Sequence, residues 1–297
     1  MKLDFKDPKP GFYRGISSED YHGRLHLASN STLKIGREAS MSHMKAAVEG
    51  KLEGKDTQAR RFGRAVHCWL FERQKFDLDY TIPGQCTGTK KDGTACANGA
   101  KRRSAAGAWL CGVHGKGLKD EQNIISDADA VNIAEIGSRL DRSEMAAFLK
   151  KGWPELTAVA EVENTLVKVR FDWVVQGTAT PVIIDLKKIT VLKGSESNLL
   201  RSIRDYGYDC QAALYSLVYE ILTGTKPRFL WLFVEDAPPY SLIPKFAPAQ
   251  MIGVGLAKVL PPLRQWKECC DWKIWPSYGE EPVDIFPEKW EAERYSV

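Results

Sequence analysis

Asp172 stands in the apolar run LVKVRFDWVV, and Asp185 and Lys187 stand two apart in VIIDLKK. Both runs have the composition of buried β-strands, where a charged side chain persists only if it is paired or holds a metal. Strand side chains alternate faces, so Val167, Val169, Phe171 and Trp173 are expected on one side, with Lys168, Arg170 and Asp172 on the other. In the second run Ile183, Asp185 and Lys187 share a face. If the two strands are neighbours, Asp172, Asp185 and Lys187 converge. Two carboxylates close together repel, and so favour a hard divalent cation such as Mg²⁺ or Mn²⁺. A lysine beside them can hold a water or steady a developing anion. These are the parts needed for metal-assisted attack of water on a phosphodiester. An edge hairpin with a merely solvated polar face explains the same D-x-K pattern, so these residues alone leave the choice open.

A second chemistry sits in residues 84–119. Cys86, Cys96, Cys111 and His114 offer three thiolates and an imidazole, and the closing C-x-x-H puts two ligands in one turn. That set satisfies a tetrahedral Zn²⁺, and the segment has too few aliphatics to fold by burial alone. It resembles a small zinc-knuckle-like module; free thiols in an unstructured loop are the alternative. An iron–sulfur cluster would call for a fourth cysteine. The segment carries Lys90, Lys91, Lys101, Arg102, Arg103, Lys116 and Lys119 against Asp92 alone. Such a module can grip a phosphate backbone, with Lys101, Arg102 and Arg103 as candidates, or it can be a purely structural clip. Cys68, Cys210, Cys269 and Cys270 lie among apolar helices and read as small buried hydrophobes.

These groups need elements to position them. The chain has 297 residues, 43% apolar and 27% charged, as in soluble globular proteins of one large domain or two smaller ones. A net charge of +4 and a pI near 8.6 permit an anionic partner without demanding one. No apolar run approaches the roughly 20 residues of a membrane span, and MKLDFKDPKP lacks a signal-peptide core, so a cytosolic protein without membrane contact is expected. Seven cysteines fit a secreted disulfide framework poorly. The first 80 residues read as mostly helical. After the insertion, Ser126 caps the helix DADAVNIAEIGSRLDRSEMAAFLKKG, and AVAEVE, LVKVRFDWVV and PVIIDLKK read as strands. The helix DYGYDCQAALYSLVYEILTG follows, then the strands RFLWLFVED and YSLIPKF, then a helix from about Pro248 to Trp272. This order predicts a mixed α/β core around a central sheet, formed by residues 1–83 and 120–297, with 84–119 as an inserted module.

Two further patterns complete the set. FGRAVH places His67 four residues after Gly63 on a helix, and QAALY places Gln211 and Tyr215 one turn apart. G-x-x-x-H, a strand Asp, D-x-K and Q-x-x-x-Y, in that order, resemble the RecB-type branch of the PD-(D/E)XK nucleases. Within it the likeness is to the RecE (exodeoxyribonuclease VIII) and phage recombination exonucleases, and extends to GFYRGISSEDYH and FGRAVHCWLFE. It covers most of the chain outside residues 84–119. The resemblance implies a restriction-endonuclease-like core in which Asp172 and Asp185 ligate Mg²⁺ or Mn²⁺, with the Ile184 carbonyl as a further donor. Lys187 would position the attacking water, and His67 would sit at the metal or beside the scissile phosphate. Gln211 and Tyr215 would contact DNA or support the strand, and Glu161 or Glu163 would add a carboxylate. Asp185 stands where the family often has Glu; both ligate hard cations. Arg60 and Arg61, one turn before Gly63, suit a terminal phosphate, or else form a solvated face.

The function implied is a Mg²⁺-dependent exonuclease of phage or prophage origin, working in the bacterial cytoplasm. It would degrade linear double-stranded DNA 5′→3′ from its ends, leave single strands for an annealing protein, and assemble as a ring trimer or tetramer. A RecB-type endonuclease or flap nuclease, and a catalytically inactive nuclease-fold DNA-binding module, are the alternatives.

Overall fold

The computed structural model describes residues 7–23, 27–52, 57–121 and 123–295. In chain order the elements are β1 (Gly11–Tyr13), α1 (Ser18–Gly23), α2 (Asn30–Glu38), α3 (Met41–Val48), α4 (Gln58–Phe71) and α5 (Arg73–Asp79). The short strands β2 (Arg102–Arg103) and β3 (Trp109–Leu110) follow, then α6 (Asp127–Asp141) and α7 (Met145–Leu149). The main strands are β4 (Gly152–Val162), β5 (Thr165–Val175) and β6 (Val182–Ile189). After α8 (Glu196–Tyr206) and α9 (Tyr208–Thr223) come β7 (Arg228–Glu235), β8 (Leu242–Phe246), α10 (Ala249–Trp272) and α11 (Lys289–Tyr295). Serine and threonine set several helix starts. Ser29, Ser40, Thr57, Ser126 and Ser195 each accept a backbone N–H of the first turn, which ordinary helix ends leave orphaned.

Six strands form one mixed sheet in the order β1-β4-β5-β6-β7-β8, parallel only between β6 and β7. Helices cover both faces. On one side Leu33, Met44, Leu199, Leu214, Val259 and Trp266 bury Phe171, Val174 and Ile183. On the other, Phe62, Val66, Ile133, Ile136 and Met145 bury Ile184, Leu186 and Leu232. The expected mixed α/β architecture is present; β1, at the sheet edge, was not foreseen.

Strict alternation fails at one place. Phe171 and Val174 face the α9 layer, whereas Trp173 packs with the α4 layer and donates its Nε1–H to the Phe148 carbonyl at 3.1 Å. Trp173 therefore does not share the face of Val167, Val169 and Phe171. The neighbouring strand shows why. Glu155, which falls across from Asp172 between the Pro154–Trp173 and Leu156–Phe171 pairs, has a φ of 46°, a left-handed conformation foreign to a strand. The switch turns both Glu155 and Asp172 toward α4.

Residues 84–119 lie outside the main sheet, with their own β2–β3 pair. Thr81 and Ile124 pair in parallel where this segment leaves and rejoins the body. Among the described residues no helix is long and apolar enough to cross a membrane.

Candidate active site

β5 and β6 pair only through Trp173–Ile184, Val174–Ile183 and Val175–Val182, and then diverge. Asp172 fills the gap, its Oδ2 accepting the Leu186 N–H at 2.7 Å. Ile184, buried at the last pair, belongs to this junction. Helix α4 lies over it, held by Phe62, Ala65 and Val66, and presents His67. His67 Nε2 is 2.6 Å from Asp172 Oδ2, and Nδ1 is 3.2 Å from Glu155 Oε1. Arg170 Nε holds the other Glu155 oxygen at 2.5 Å. Donor atoms of His67, Glu155 and Asp172 all lie within 4.8 Å of one another, close enough to share one metal ion.

Asp185 and Lys187 form the adjoining half. Asp185 is 1% exposed, and its Oδ2 is 2.6 Å from Lys187 Nζ. From α9, Gln211 donates to Asp185 Oδ1 at 2.7 Å and accepts from Lys187 Nζ at 2.8 Å, closing a triangle. The Lys187 ammonium also lies 4.6 Å from the centre of the Tyr208 ring.

The electrostatics separate the two carboxylates. Burial raises the Asp185 pKa, Lys187 only partly offsets this, and the nearby Asp172 charge adds to it, so the group is pushed up to about 6. Asp172 is buried too, but His67, Lys187 and the Leu186 N–H outweigh that and hold its carboxyl below the usual range. Burial opposes the His67 charge, yet Asp172 and Glu155 prevail and lift it to about 10. Lys187, also resisted by burial, is raised by Asp185 and Asp172 and stays an ammonium. Carboxylates driven apart in this way mark sites where proton and charge are handled.

Several expectations change. Glu161 is exposed near the far end of β4, and Glu163 sits in the β4–β5 turn bound to Arg264 at 2.8 Å, so neither reaches the site. The carboxylate from this strand is Glu155. Its place could have been counted: Glu163 and Asn164 form a two-residue turn with φ of 49° and 56°, and the register from that turn sets Glu155 opposite Asp172. Of the two roles the resemblance implied for Tyr215, its buried position fits the supporting one. It is core, packed edge-on against Phe171 with centroids 5.4 Å apart, and it supports Gln211 from one turn away. Arg60 borders the cavity of about 650 Å³ above His67 and Asp172, as does the unforeseen Arg64; Arg61 does not.

The structure brings the four candidate zinc ligands together. Cys86, Cys96, Cys111 and His114 bring their donor atoms within 4.8 Å of one another. Cys96 and Cys111 sulfurs are 3.9 Å apart, and His114 Nδ1 lies 3.3 Å from Cys86 and 3.5 Å from Cys111. A regular tetrahedron with Zn–S of about 2.3 Å and Zn–N of about 2.0 Å has edges of about 3.8 and 3.5 Å, so the set fits zinc. His114 Nε2 is 2.9 Å from the Thr89 carbonyl, and donation there would leave Nδ1 free to ligate. Backbone N–H groups of His114 and Val113 push the Cys111 thiol down to about 6. Arg102, a candidate for either phosphate contact or a structural clip, ties the module together. Its Nε holds Asp120 at 2.6 Å and its Nη1 donates to the Gly112 and Gly115 carbonyls. Lys101 pairs with Asp120 as well, at 3.0 Å, while Arg103 is exposed.

The comparisons agree with this geometry. A family model described as a PDDEXK-like domain of unknown function (DUF3799) matches residues 29–285. The chain belongs to that PDDEXK-like family. A solved structure from Eubacterium rectale, described as "Putative exonuclease", shares 16% identity over 95% of this chain and 98% of its own, with a TM-score of 0.60, and shows the same fold. The structure of SSO0001 matches 45% of this chain and 58% of its own at 12% identity, with a TM-score of 0.27. No curated protein matches the sequence. A PDDEXK-like core thus places Asp172, Asp185, Lys187 and His67 around one junction of its sheet.

Proposed function

We propose that the protein is a divalent-metal-dependent deoxyribonuclease. The observation that carries this reading is the meeting of Asp172 and Asp185 with His67 and Lys187 where β5 parts from β6. The donors fit a hard cation: Glu155 and Asp172 would hold Mg²⁺ or Mn²⁺, joined by His67 once the cation displaces its proton, and Asp185 supplies the second strand carboxylate. A bound metal activates water and offsets charge on a phosphodiester. Lys187, kept protonated by its carboxylate neighbours and held by Gln211, neutralises the anion that develops beside it. His67 keeps Asp172 and Glu155 aimed at a common point.

The finer reading is an exonuclease acting 5′→3′ on linear duplex ends, handing single strands to an annealing protein in phage or prophage recombination within a bacterial cytoplasm. The motif resemblance supports it, as it supports a ring-shaped trimer or tetramer. Zn²⁺ at Cys86, Cys96, Cys111 and His114 has a structural role in this reading.

The test uses linear duplexes labelled at either end beside covalently closed circles, each with Mg²⁺ and with EDTA. Release from 5′-labelled ends, Mg²⁺ dependence and intact circles are expected. Asp185→Ala and Lys187→Ala should each lower cleavage by ~10³-fold with folding retained. Nicked circles would favour the endonuclease reading, and near-normal cleavage by both variants would remove the assigned centre.

A further inference from the structure

The surplus charge of this protein lies in one segment. Residues 84–121 hold seven Lys and Arg against Asp92, Asp120 and Glu121, a net of +4. The whole chain has 42 basic and 38 acidic residues, so 35 of each remain outside the segment. A neutral body offers little long-range attraction to a polyanion, whereas this segment offers all of the net charge.

Five of its seven cations are not consumed internally. Lys101 and Arg102 are tied to Asp120, and Asp92 is occupied by the N–H and hydroxyl of Thr94. Lys90, Lys91, Arg103, Lys116 and Lys119 are exposed, and none has an acidic partner among the described residues. The Cys86–Cys96–Cys111–His114 cluster holds them on a folded scaffold, which lowers the ordering cost of binding.

The segment is also in the right place. Asp79, Tyr80 and Asn123, at its two stems, border the same cavity as His67 and Asp172. Six residues from Tyr80 reach Cys86, a span of at most about 20 Å. Duplex DNA carries one charge per about 1.7 Å of axis, so about a dozen phosphates lie within that distance of the cavity.

We propose that residues 84–121 are the phosphate clamp of the site, a metal-stapled basic module at the cavity mouth. It grips the DNA backbone without reading sequence, chiefly through Lys90, Lys91, Lys116 and Lys119. Lysines suit this role as point charges. The clamp rests on the nuclease reading only for the identity of its polyanion.

The experiment compares the full-length zinc-loaded chain with Lys90→Gln/Lys91→Gln/Lys116→Gln/Lys119→Gln, and with a control carrying Lys226→Gln/Lys245→Gln/Lys273→Gln/Lys289→Gln. Affinity for a linear duplex is measured by anisotropy from 50 to 200 mM salt, without Mg²⁺ and without chelator. Zinc content confirms that the module is intact. The module variant should show a salt slope shallower by about 0.9 per lysine lying on a phosphate, and at least tenfold weaker binding near physiological salt; the control should match the parent. An unchanged slope in the module variant, or an equal loss in the control, would overturn the clamp. Cleavage by the parent in Mg²⁺ is followed alongside. Its absence would sink the nuclease reading while the slopes still judge the clamp.

Discussion

In the metal-free fold, burial costs the charged form of Asp185 more than its pairing with Lys187 returns. Its carboxyl has an ordinary pKa of 3.8 and is pushed up to about 6 by burial and by Asp172, despite Lys187. Folding therefore favours the protonated form: its contribution to stability is present below the ordinary value and is lost as pH climbs through about 6. Asp185→Asn abolishes that titration. Relative to the parent in metal-free buffer, the variant should gain on the order of 2–3 kcal/mol between pH 4 and pH 7, read by urea denaturation at each pH. A flat difference across that range would show that the carboxyl is not strained. Glu155 makes the second residue-scale case, because it joins His67 to Arg170. Glu155→Gln removes one of the two charges that lift His67 toward 10, so the imidazole pKa should fall, as followed by NMR, and Mg²⁺ affinity should drop at least tenfold. Unchanged metal affinity would exclude Glu155 from the donor set.

At the scale of elements, the site depends on strands that separate and on close approaches that glycine permits. Had β5 and β6 stayed paired, the Leu186 N–H would have gone to a strand carbonyl rather than to Asp172. Gly88 shows the same dependence in the insertion. A Cβ there would meet His114 Cγ at 2.5 Å and Nδ1 at 2.7 Å, displacing the imidazole from the three sulfurs. Gly88→Ala should lose zinc in competition with a colorimetric chelator, at least tenfold more readily than the parent, while the body keeps its melting temperature; equal retention would separate this backbone from the metal site. The β4–β5 hairpin was legible in its two-residue turn, and the register places Glu155 opposite Asp172 by counting alone. Its side-chain direction was not legible. Period-two alternation assumes extended φ throughout, and the 46° at Glu155 breaks that assumption locally.

At the scale of the molecule, a neutral nuclease-like body carries a basic insertion on a stem already closed by the Thr81–Ile124 pair. That pairing makes the insertion separable. Replacing residues 84–119 with a short Gly-Ser turn should leave the body folded, with Tm within about 5 °C of the parent, because neither main core cluster uses a residue from the segment. Loss of cooperative unfolding in calorimetry would show one inseparable domain instead. The sequence by itself determined that two carboxylates and a lysine would sit on apolar strands, that His67 and Gln211 would come from helices flanking them, and that three cysteines and a histidine would cluster. Residue type, spacing and periodicity are local properties, and they suffice for that. Which acid of β4 reached His67, that Tyr215 faces the core, and that Arg102 is tied to Asp120 were decided only when strands and helices packed. Those outcomes depend on which surfaces meet across long separations in the chain, and no local pattern encodes them.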